Sequence, residues 1–330
     1  MPSHIRGIVE FEKILPDNYS SAIETTRMRM SVQQLLDTQE SVPTLINRLR
    51  EYITHADMIV EYLSKRQSQP LVSQPLFEWS VDDIIIQTPC WRIETILPRV
   101  VLAQTLHQQA LQQIQEGAFK DAHKTLLNVK KLHSECYKQL LCWKWKLQSL
   151  NHFSLQAKWH TSMMALTTGM EHLCTLCVGI SNQSSSKVLY TISQRAMKQF
   201  GTSVAVWSSQ QTSDLLQLSE CLRYYYSSDI LWDRGEYGGS IYRLQQWTTN
   251  KNLQFGPFGV LENEMGKIQL LLYEREQTNN GAYFETVIPS TPLCTITDLI
   301  NNPQATTDIP HPSNEQEQSV PDDVESTLAE

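Results

Sequence analysis

Residues 214–247 read DLLQLSECLRYYYSSDILWDRGEYGGSIYRLQQW. Asp214 is placed to cap a helix over about 215–233, because its carboxylate can accept from the free N–H groups of a first helical turn. Arg234-Gly235-Glu236 follows, and a glycine there ends a helix and permits a tight turn. A return helix over 237–248 opens with Gly238, Gly239 and Ser240, small enough for close helix contact. Paired helices joined by small-residue turns resemble a tetratricopeptide-like solenoid, although no strict repeat period emerges.

The same reading extends outward in both directions. Ser184-Ser185-Ser186 supplies cap candidates for a helix through Phe200, and 155–180 forms the helix before it. Residues 118–147 are helical, with Phe119, Ala122, Leu126, Val129, Leu132, Cys136 and Leu140 on one face. Gly117 separates them from a long helix over 90–116. Further back, helices are expected near 18–36 and 41–63, with Pro43 tolerated in a first turn. Residues 1–16 have extended character, and Phe77-Glu78-Trp79-Ser80 begins a linker that ends near Pro89. A last long helix is expected over 261–278.

Composition narrows the function classes. The chain has 330 residues, 41% of them hydrophobic, which allows a sizeable core. Net charge is −8, but Asp308, Glu315, Glu317, Asp322, Asp323, Glu325 and Glu330 crowd the last thirty residues, which hold no Lys or Arg. The body is therefore nearly neutral, which argues against nonspecific nucleic-acid binding. The domain expectation is a folded body over 1–300 and an acidic, disordered tail over 301–330. That tail is either a solvated end or a segment that folds back on a basic patch. Met1-Pro2-Ser3 offers no apolar signal region and no myristoylation glycine, and the seven scattered cysteines fit free thiols in a reducing, cytoplasmic setting. No run reaches the roughly 18 uninterrupted apolar residues of a membrane span.

Catalytic signatures are sparse. Cys174-Thr175-Leu176-Cys177 is a single CxxC with His172 close by, whereas zinc would need a further ligand and a closed geometry. A redox role would need a strand-to-helix setting, and this segment is helical on both sides. No GxxxxGK[ST], GxGxxG, GxSxG or HExxH occurs. The expectation is a non-catalytic protein with no cofactor and no metal.

Several weak motifs then fall in order. A long helix ending Tyr273-Glu274-Arg275-Glu276 runs into Asn279-Asn280-Gly281-Ala282-Tyr283 and then Val287-Ile288-Pro289. Upstream stand Tyr224-Tyr225-Tyr226, Gly235-Glu236-Tyr237-Gly238-Gly239-Ser240-Ile241 and Phe77-x-Trp79. Together these resemble the Bro-domain family, the family of Alix and Brox, over roughly residues 5–300, with order and spacing nearest Brox. The chain departs from that pattern in lacking an Ile before Tyr283, a C-terminal lipidation box and a long Pro-rich tail.

The resemblance implies a mainly α fold: a curved, banana-shaped helical solenoid with a small N-terminal β element. It also implies a cytoplasmic, monomeric adaptor in endosomal sorting or membrane remodelling, recruited to membranes through its partners. Its partner would be the C-terminal amphipathic helix of an ESCRT-III subunit, of the charged multivesicular body protein type, held in a concave apolar groove. Placed on the family helices, Thr175 and Leu176 fall on one groove helix and Val188 and Ile192 on the next, with Lys124 at a basic groove position. Val188 and Ile192 are four apart and share a helix face. An aliphatic pair at this spacing serves equally as core, with Leu189, Ala196 and Phe200 competing for the buried side. Two other classes stay open: a helical scaffold for a signalling or cytoskeletal partner, and an enzyme using the cysteine cluster.

Overall fold

The computed structural model describes residues 4–6, 9–15, 21–38, 41–65, 76–81, 84–88, 90–142, 152–248 and 253–287. All of them lie in the compact unit Met1–Pro289; the second unit, Ser290–Glu330, and with it the acidic tail, lies outside the described residues.

Three strands, β1 (His4–Arg6), β2 (Phe77–Val81) and β3 (Ile84–Thr88), form an antiparallel sheet in the order β1-β2-β3, with Trp79 opposite both Ile5 and Ile86. The stretch expected to be a linker is therefore mostly a hairpin. Its alternation explains why: Phe77, Trp79 and Val81 are fully buried, and successive strand side chains point to opposite faces.

The rest is helical. A short α1 (Phe11–Ile14) precedes α2 (Ser21–Thr38), α3 (Val42–Lys65), α4 (Ile93–Gln115), α5 (Phe119–Cys142), α6 (Ala157–Ser181), α7 (Ser186–Val206), α8 (Gln210–Asp233) and α9 (Tyr237–Thr248). Each long helix packs chiefly against the next, which is the solenoid order. Gly117 and Gly235 sit at φ +77° and +78° in the turns after α4 and α8, the left-handed conformation that glycine adopts without Cβ strain. Helix α6 is long and apolar enough to cross a membrane by composition, but most of it is buried inside the fold. Helix α5 covers one side and α7 the other, and a helix covered on two sides is apolar nearly all round.

Three helix boundaries differ from expectation. Helix α7, expected through Phe200, runs on to Val206. Helix α8 starts before Asp214, because Ser209 caps it: its Oγ accepts from the Thr212 N–H at 3.2 Å. The helix expected over 261–278 is two, α10 (Val260–Gly266) and α11 (Ile268–Thr278), divided beside Gly266, a residue that weakens a helix interior by about 1 kcal/mol.

The small residues of α9 are explained by what approaches them. Arg275 of α11 donates through Nη1 to Ser228 Oγ at 2.5 Å and Ser240 Oγ at 3.0 Å, and through Nη2 to Asp229 Oδ1 at 2.6 Å. A Cβ at Gly238 would overlap the Thr286 carbonyl oxygen. The asparagine motif forms a five-residue π turn, Asn279–Tyr283. Its Asn279 side chain brackets Glu285, donating to the carbonyl at 2.8 Å and accepting from the N–H at 3.1 Å. Tyr283 stacks on Tyr237 with centroids 3.6 Å apart, so two motifs distant in sequence are one joint.

Candidate functional site

Helices α5, α6 and α7 hold all the residues singled out for partner binding, and their registers are fixed by polar pairs. Helix α5 runs antiparallel to α6: His133 Nδ1 lies 3.0 Å from His160 Nδ1, and Lys130 Nζ 3.8 Å from Glu171 Oε2. Helix α7 runs antiparallel to α6: the Ser162 and Ser203 hydroxyls are 2.8 Å apart, Gly169 abuts the Phe200 ring, and Gly179 lies under Leu189. The C-terminal third of α6 therefore faces the start of both neighbours.

At that end a recess of about 340 Å³ opens between α5 and α6, lined by Phe119, Lys120, His123, Lys124, Cys174, Thr175 and Val178. It brings together two residues that sequence alone had placed on separate helices, Lys124 and Thr175. Lys124 reaches Asp121 Oδ1 at 3.3 Å, but both side chains are well exposed, so that pair is worth little and leaves the ammonium accessible. Val188 is 49% exposed on α7 and Ile192 is half-buried one turn on, while Leu189, Ala196 and Phe200 form the buried side.

Leu176 does not belong to this surface. It is fully buried, because one residue beyond the exposed Thr175 the helix has turned about 100° into the α5–α7 interior. Its placement in the groove is corrected to core. Residues that sequence reasoning passed over take its place. Lys120 lies four positions before Lys124 and three before His123, and Val178 three after Thr175, the spacings that share a helix face.

The His172 imidazole is held below its usual range first by partial burial, then by the charges of Arg195 and Lys130 and by the neighbouring His123. Burial raises the Glu171 carboxyl, partly offset by Lys130 and His123, and its Oε1 is buried without a hydrogen-bond partner among the described residues. Cys174 and Cys177 are free and buried. Burial pushes the Cys174 thiol up to about 12, and that of Cys177 rises further. Such thiols stay protonated, the opposite of what a nucleophile or metal ligand needs.

No family model matches the sequence, and no curated protein matches it. Among solved structures, the ALIX BRO1 CHMP4C complex is similar with a TM-score of 0.67 at 10% identity, covering 89% of this chain and 91% of that one. ALIX in complex with the SIVmac239 PYKEVTEDL late domain gives 0.69 at 11% identity, covering 88% of this chain and 46% of the ALIX chain. A Bro1 domain solved as the structural basis for endosomal targeting gives 0.65 at 13% identity, covering 89% and 88%. At such identities the likeness is one of fold.

Proposed function

We propose, from the premise that this chain has the fold of a Bro1 domain, that it is a non-catalytic adaptor for the C-terminal amphipathic helix of an ESCRT-III subunit. The observation that carries this reading is the apolar recess between α5 and α6, with Lys124 and Thr175 on its wall. On the next helix, α7, Val188 is exposed and Ile192 half-buried one turn on. An amphipathic helix needs a receptacle for one anchor and an apolar ledge for residues three and four positions away. The recess, with Val188 and Ile192, offers both. The similar fold of a BRO1 domain seen with CHMP4C supports the choice of partner class. The protonated, buried state of the Cys174–Cys177 pair weighs against the enzyme alternative. In this reading the protein is cytoplasmic, monomeric and recruited to endosomal membranes by its partner. Its sequence pattern stands nearest the Brox members of the fold.

The test is a titration of a fluorescent ESCRT-III C-terminal helix peptide into the full chain and into Val188→Asp. We expect micromolar binding by the parent. The variant should lose at least about 30-fold, the equivalent of removing an anchor worth ~2 kcal/mol, with its circular dichroism unchanged. A folded parent that ignores the peptide would rule out this partner class and leave the recess to another helix.

A further inference from the structure

The acidic character of the chain hides an opposite imbalance around the recess. The whole chain is −8, yet α5, α6 and α7 carry nine Lys and Arg against three Asp and Glu. Each of the three acids already faces a cation. Glu135 accepts from Arg99 Nε at 3.1 Å, Glu171 is buried beside Lys130, and Asp121 lies 3.3 Å from Lys124. Helix α7 contains no acid at all, only Lys187, Arg195 and Lys198.

The position of these cations matters more than their number. Arg195 follows Ile192 by three residues on the exposed side of α7, so a guanidinium stands next to the aliphatic ledge. Lys130 of α5 lies 3.8 Å from Glu171, and the α6–α7 register that seats Gly169 against Phe200 brings Arg195 of α7 beside the next residue, His172, so cations from two helices flank one point of α6, one turn from Thr175. Like charges held together in a fold lower its stability unless something answers them, and the described residues supply only Glu171, already buried beneath.

We infer, resting on the docking reading above, that Arg195 and Lys130 select a bound helix that carries carboxylates one or two turns from its apolar anchors. The recess favours a protein helix over an anionic bilayer, because it takes a protruding apolar side chain and a lipid headgroup layer presents none. The apolar contacts hold any amphipathic helix of suitable shape, and the cations decide which one. Such selection is electrostatic, so it acts on association rate and partner choice and fades as salt screens it.

Two fluorescent helical peptides with identical anchors, one bearing Glu and one Gln at the flanking positions, test this on the full chain. At about 50 mM NaCl the Glu peptide is expected to bind about tenfold tighter, and at about 500 mM the gap should close to within about twofold. Arg195→Glu, on an exposed position, should weaken the Glu peptide and favour a third peptide bearing Lys at the same places. Equal affinities for Glu and Gln peptides at low salt overturn the selector and leave the docking reading standing. Failure of every peptide to bind removes both. Peptides that bind indifferently, combined with phosphatidylserine vesicles that bind the parent but not Arg195→Glu, assign the cations to a membrane and overturn the proposal.

Discussion

Glu94 shows how a single residue can organise several elements. Its carboxylate accepts from Trp79 Nε1 at 2.8 Å, from Arg29 Nε at 3.4 Å and from the Tyr52 hydroxyl. Arg29 and Glu94 side chains are each 2% exposed, so α2, α3, β2 and α4 meet at one desolvated ion pair. Removing one partner of such a pair leaves an uncompensated buried charge. Glu94→Ala should therefore lower unfolding free energy by about 3–5 kcal/mol in urea titrations. A loss under about 1 kcal/mol would mean that water reaches Arg29. The sequence carried half of this. Trp79 stood out within its motif, and Glu94 is a lone acid in the apolar run Ile93 to Leu97. Arg29 lies 65 positions away, and nothing local to either residue announces the other.

At the scale of elements, helix existence was legible and helix faces were less so. Helix α9 falls where its small residues and preceding glycine placed it. Leu176 reached the groove only through its place on the family helix, and α6, apolar nearly all round, carries little record of which strip is open. In α7 the contrast between Val188 and Leu189 is resolved by Gly179, which admits Leu189 into the α6 interface. The cationic face was illegible for a different reason: its residues come from two helices, α5 and α7, and meet only through their two antiparallel registers with α6. Those registers depend on close approach. A Cβ at Gly169 would come within 2.5 Å of the Phe200 ring, whereas one at Gly201 meets nothing within 4 Å. Gly169→Ala should thus destabilise by about 1–3 kcal/mol through overpacking. Gly201→Ala, inside α7, should stabilise by up to about 1 kcal/mol through helix propensity. Urea midpoints of the two variants should move in opposite directions; a shared direction would refute the antiparallel α6–α7 register.

At the scale of the whole molecule, α4, α5 and α6 share a buried trio, His107, His133 and His160, that makes the core sensitive to acid. His160 Nε2 lies 2.8 Å from the Ser154 carbonyl, which only accepts, so that nitrogen carries the proton. In neutral His160 the Nδ1 then accepts from His133 Nδ1, 3.0 Å away. Protonating His160 would set two N–H groups against each other. Burial accordingly holds His107 and His160 down to about 4, and His133 is lowered by burial and by both neighbours. In the unfolded chain these rings titrate near about 6.5. As pH falls the unfolded state takes up protons first, so stability is full above about pH 6.5. Below that it declines by up to about 1.4 kcal/mol per pH unit for each histidine. Urea unfolding between pH 8 and pH 5 should show a plateau and then a steep fall. His107→Leu, which removes the ring whose Nδ1 has no partner among the described residues, should make that fall shallower by about one proton's worth. A stability profile flat from pH 7 to pH 5 would mean that the trio is solvated, and that α4, α5 and α6 do not close over it.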